Sequence, residues 1–95
     1  MQNGIEFFTA TCLNWTKVLE PDEYKSIITD SLKFLVEDKR VNVYSFVIMP
    51  NHIHLLWAKQ ENWLNKDVTQ MFLKFTAQKI KFKLIDTESP MLEMF

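Results

Sequence analysis

The chain is poor in the residues that break or staple a fold: among 95 residues there are one glycine, three prolines and one cysteine. A single cysteine, Cys12, can build neither an intrachain disulfide nor a thiolate cage for a metal, which suits a reducing, cytoplasmic compartment. So little glycine and proline leaves no linker or low-complexity stretch to divide the chain, and no internal repeat is present. One domain spanning residues 1–95 is therefore expected. No apolar run approaches the ~20 residues of a membrane span. The N-terminus, MQNGIEFFTATCLNW, lacks the basic start and long apolar core of a signal peptide. A soluble protein with no membrane partner is expected. Histidine is scarce too: His52 and His54 are the whole supply.

What is abundant is apolar. Hydrophobic residues make up 47% of the chain, with eight Phe, three Trp and two Tyr, enough for a packed core and too much for disorder. The net charge of −1 is unevenly spread. Residues 1–58 carry −2, residues 59–85 carry +4 and residues 86–95 carry −3. The basic segment holds Lys59, Lys66, Lys74, Lys79, Lys81 and Lys83. Charge alone fits a solvated helix face as well as a phosphate-binding one.

Ile5 to Leu13 is rich in aromatic and β-branched residues and reads as a strand, with Phe8, Ala10 and Cys12 on one face and Phe7, Thr9 and Thr11 on the other. Glu20-Pro21-Asp22-Glu23 opens a helix. Its apolar stripe is Tyr24, Ile27, Ile28, Leu32, Leu35 and Val36, and Asp38-Lys39-Arg40 closes it. Val41–Met49 and His52–Ala58 read as two further strands joined by Pro50-Asn51. Asn65-Lys66-Asp67 offers a cap for a second helix, whose expected stripe is Val68, Met71, Phe72 and Phe75, continuing less cleanly to Ile80 and Leu84. Pro90 breaks the chain, leaving Met91–Phe95 too short to assign. The order strand, helix, strand, strand, helix matches the start of a split β-α-β, ferredoxin-like α+β domain, with an antiparallel sheet covered by both helices on one face. The closing strand of that plan is expected to be missing or confined to the last residues.

Both histidines stand in one apolar run, Val47-Ile48-Met49-Pro50-Asn51-His52-Ile53-His54-Leu55-Leu56-Trp57. Side chains alternate along a strand, so His52 and His54 share one face while Ile53, Leu55 and Trp57 share the other. With a two-residue loop, His54 lies across from Val47 and Ile53 from Ile48. Tyr44, Phe46 and Ile48 then join the face under the helices, and the histidines occupy the open one, with Ser45 nearby and Thr9 and Thr11 on the first strand. His-x-His on a strand can converge on one metal ion, neutral imidazole being the commonest metal ligand. Taken alone, the pair fits two half-exposed histidines, bonded to water and neighbours, better than it fits a metal site.

Met49-Pro50-Asn51-His52-Ile53-His54-Leu55-Leu56, preceded by Tyr44-Ser45-Phe46-Val47-Ile48, closely resembles the signature of the HUH single-tyrosine transposases, the insertion-sequence and REP-associated tyrosine transposases. The segment Val68 to Thr76 looks like the helix that follows the strand in that family. The likeness covers roughly residues 5–85. It implies a ferredoxin-like fold and metal-assisted cleavage and rejoining of single-stranded DNA through a phosphotyrosine intermediate. By the same resemblance His52 and His54 are catalytic metal ligands for Mg2+ or Mn2+, and hairpin or single-stranded DNA is the partner. Asn51, Lys59, Lys74, Lys79 and Lys81 are the expected DNA contacts.

The nucleophile that the resemblance requires, a tyrosine on a later helix, is not found in this sequence. The two tyrosines, Tyr24 and Tyr44, fall on a helix stripe and on the expected core face of a strand, where packing explains them. The expectation is an HUH domain incomplete at its C-terminus, cut before the tyrosine helix. The alternative is a remnant that binds DNA and metal without cutting. A third possibility is a His-x-His metal-binding domain unrelated to DNA. Unpaired strand edges and uncovered apolar surface make a homodimer the expected assembly.

Overall fold

The computed structural model describes residues 4–12 and 17–87. Leu13 and the segment from Pro90 to Phe95, both touched by the expectations above, lie outside the described residues. Three strands and two helices follow the expected order: β1 (Ile5–Thr11), α1 (Asp22–Glu37), β2 (Val41–Met49), β3 (His52–Lys59) and α2 (Val68–Asp86). β3 runs antiparallel to both neighbours in a sheet ordered β1-β3-β2. β1 and β2 are therefore parallel, joined over α1, with β3 inserted between them. That is a split β-α-β unit within a small α+β fold.

β3 is central because of its side chains. Ile53, Leu55 and Trp57 are buried on one face, in a cluster with Tyr24, Ile28, Leu32 and Leu35 of α1 and Val68, Phe72, Ile80 and Leu84 of α2. Trp57 anchors the layer. Its ring meets Phe8 at 5.2 Å and Phe72 at 5.5 Å, both edge-on, an arrangement favoured by the ring quadrupoles. The indole Nε1–H donates to Glu6 Oε1 at 2.8 Å, and the Thr69 hydroxyl donates to the same oxygen at 3.2 Å. One carboxylate oxygen thus links β1, β3 and α2 by accepting from both.

Both helices depart from their expected stripes in instructive ways. On α2 the buried residues are Val68, Phe72, Thr76, Ile80 and Leu84, an unbroken four-residue spacing. Each step of four advances the stripe about 40° round the helix, so the contact precesses along its length. Met71 and Phe75, expected inside, are exposed. Thr76 is buried in Phe75's stead because its hydroxyl bonds the Phe72 carbonyl at 2.8 Å and needs no other partner. On α1 Val36 is exposed and Ser31 is buried, its hydroxyl donating to the Ile27 carbonyl.

The second correction concerns Tyr44. The β2–β3 register shifts between Val43 and Ser45, so Tyr44 is an extra residue at a β-bulge. Val43 pairs with Trp57, on the helix side, and Tyr44 is 61% exposed. It is not a packing residue. Tyr24 is buried as expected.

Candidate functional site

The histidine face is set by the hairpin. Met49 pairs with His52, which makes Pro50-Asn51 a two-residue connection, and Val47 pairs with His54 as the alternation requires. Proline cannot take the positive φ of a primed hairpin turn. The turn is held instead from outside: the Pro50 carbonyl accepts from Leu19 N–H at 2.9 Å and the Asn51 carbonyl from Cys12 N–H at 2.8 Å. On the other flank Thr9 pairs with His54 and Thr11 with His52.

The two rings converge. Their centroids are 4.9 Å apart and their planes nearly perpendicular, at 89°. Each Nδ1 is engaged: His52 Nδ1 lies 2.7 Å from Asn51 Oδ1, and His54 Nδ1 lies 2.9 Å from Thr9 Oγ1. An amide oxygen only accepts, so His52 donates through Nδ1–H, and the neutral ring then keeps its lone pair on Nε2. The Thr9 hydroxyl can accept from His54 in the same way. Hydrogen-bonded Nδ1 with Nε2 left to ligate is the arrangement in which partner groups orient metal-binding histidines. His52 and His54 would each give a divalent ion one imidazole nitrogen. Among the described residues no group of three His, Cys, Asp or Glu side chains adds a third. Cys12 does not supply one: it faces the helix layer, and burial pushes its thiol up, against a smaller opposing effect of its hydrogen bond to the Val18 backbone.

No protein-family model, curated protein or solved structure matches this chain. Its site is thus read from its own residues.

Asn51, expected to touch DNA, has its side-chain oxygen committed to His52. The lysines are not brought to the histidines. Lys59 lies at the opposite end of β3 from His52, about 23 Å along the strand, with its ammonium on the Lys66 carbonyl at 2.8 Å. Lys74, Lys79 and Lys81 are on α2, in the layer covering the other face of the sheet. Lys74 and Lys81 stand seven residues apart on one side of the helix, whereas Lys79 points elsewhere and lies over the Phe75 ring at 5.6 Å. A cleft lies elsewhere again, between α1 and α2, where Ser31, Phe34, Arg40, Met71, Phe72 and Phe75 line ≈ 290 Å³. Its walls are mainly apolar and hold no histidine. Thr9 is on the histidine face, as its alternation along the first strand implies, but its bond to His54 had no signal in the sequence.

Proposed function

We propose that the open face of this sheet holds single-stranded DNA by a phosphate, through a divalent ion on His52 and His54, as the metal half of an HUH-type transposase domain with a ferredoxin-like plan. The observation that carries the reading is the pair of rings meeting at 4.9 Å with both Nδ1 atoms engaged, on a face that none of the described helices covers. A divalent ion bound there supplies positive charge for the non-bridging oxygens of a phosphodiester. The rigid strand fixes where the imidazoles point, and Asn51 and Thr9 fix how they are turned. The MPNHIHLL motif and the split β-α-β order agree with this family. Mn2+ suits the site better than Mg2+, which prefers oxygen ligands and loses its waters reluctantly.

Two readings of activity follow from the tyrosines. As an enzyme the domain needs a nucleophile from outside this sequence; as a binding module it needs none. A second copy of the chain is the proposed protein partner, since Phe34, Met71, Phe75 and Phe82 leave apolar surface open on the helices. The test is fluorescence anisotropy of a labelled hairpin with a single-stranded flank, titrated with the protein and Mn2+. Binding that requires Mn2+ and drops at least tenfold in His52→Ala is expected. Metal binding with no affinity for any nucleic acid would leave only a His-x-His metal domain.

A further inference from the structure

Phe7 is the most exposed of the large apolar side chains among the described residues, at 70%. It stands on the histidine face of β1, paired across the sheet with Leu56 and two residues before Thr9. Its ring lies nearly parallel to that of His54, at 10°, with centroids 6.5 Å apart. Among the described residues the face around it carries Thr9, Thr11, Ser45, Val47, Met49 and Leu56, and no carboxylate. The adjacent acid, Glu6, is turned to the other side and occupied by Trp57 and Thr69. An uncharged aromatic plane therefore flanks the metal ligands and leaves its outer face to solvent.

We propose that Phe7 is a stacking platform for one base of the single strand whose phosphate is held at His52 and His54. The inference rests on the reading above and names the part of the substrate that it left out. The ring separation of 6.5 Å is within the reach of one nucleotide between phosphate and base. The ring is already aligned with an imidazole fixed by Thr9, so a base laid on it meets a surface that needs little ordering. A stacked ring accepts any of the four bases, because every base has a π-face. Phe7 thus contributes affinity and register with little sequence preference.

The experiment measures Mn2+-dependent affinity for an oligothymidine strand and for a deoxyribose-phosphate strand without bases. It uses the whole chain as wild type, Phe7→Ala, Phe7→Leu, Phe7→Trp and His52→Ala, with circular dichroism to confirm that each variant is folded. Base stacking predicts that Phe7→Ala weakens oligothymidine binding between about 5-fold and about 100-fold. Phe7→Leu recovers little of this, because it restores apolar area without a π-face, and Phe7→Trp binds at least as tightly as wild type. The abasic strand binds wild type and Phe7→Ala alike. Equal binding of oligothymidine by wild type and Phe7→Ala, with affinity still lost in His52→Ala, overturns the stacking role and leaves the metal-and-phosphate reading standing. Failure of every form to bind either strand overturns both. A change of oligomeric state in Phe7→Ala with DNA affinity intact also overturns it and assigns the ring to a protein interface.

Discussion

At the scale of single residues, the proposed metal site depends on groups outside its two histidines. Asn51 and Thr9 each take one imidazole nitrogen, and in doing so leave the other free. Without them the rings can turn and exchange tautomers, and the pair is no longer organised before an ion arrives. Losing such a partner typically lowers metal affinity about 10- to 100-fold. Thr9→Val keeps the shape of the side chain and removes its hydroxyl, so it isolates that contribution. Mn2+ titration followed by calorimetry should show affinity falling about tenfold in Thr9→Val and in Asn51→Ala, with thermal stability nearly unchanged in the former. Unaltered affinity in both would mean that the rings are held by the strand alone. Of these residues, the sequence made His52, His54 and Asn51 visible through their adjacency. It put Thr9 on the same face but could not pair it with His54, because a pairing across 45 positions depends on the β1–β3 register, which no local pattern encodes.

At the scale of elements, alternation and punctuation were enough for the hairpin. Val41–Met49 and the start of β3 fall where the pattern put them, and the pairing of Val47 with His54 follows from the two-residue connection. The bulge at Tyr44 was hidden, since an extra residue changes the face of a side chain without altering composition. The stripe on α2 was misread for a related reason. A four-residue spacing drifts round the helix, so Phe75 looked like core while Thr76, polar by type, took the buried place. Helix ends were more legible. Asp67 accepts from Gln70 N–H at 3.0 Å, and Asp67→Ala should cost about 1 kcal/mol in denaturant unfolding. At the end of α1, Lys39 has φ 58°, in the left-handed region, while Arg40 N–H reaches the Leu35 carbonyl and Lys39 N–H the Val36 carbonyl. This is the pattern of a helix end that glycine usually completes. Lys39→Gly should therefore raise stability by up to about 1 kcal/mol, a gain limited by the backbone entropy that glycine adds to the unfolded chain. A lower unfolding midpoint for Lys39→Gly would show that the side chain contributes more than the strain costs.

At the scale of the whole molecule, the sheet separates two surfaces: an open face with imidazoles and an aromatic ring, and a helix layer with most of the lysines. A strand lying on the open face does not meet Lys74 or Lys81 without passing round the sheet. Lys74→Glu with Lys81→Glu should accordingly lower DNA affinity less than His52→Ala does, while still reducing the salt dependence through the general field. Covalent chemistry faces a stricter geometric demand, because a nucleophile must stand about 3–3.5 Å from the phosphorus it attacks. Tyr24 is buried beneath the sheet. Tyr44 is exposed, but it lies three positions along β2 from Val47, the partner of His54, or about 10 Å along the strand. Neither is placed to attack a phosphate held at the histidines. This chain incubated alone with Mn2+ and a hairpin-containing single strand should bind it and form no covalent adduct on a denaturing gel. Adding a chain or peptide that carries a tyrosine helix should produce one, dependent on His52. A Mn2+-dependent adduct on the chain alone, lost in Tyr44→Phe, would instead make the bulge the device that delivers the nucleophile, and the strand would have to bend there to bring the hydroxyl to the phosphate.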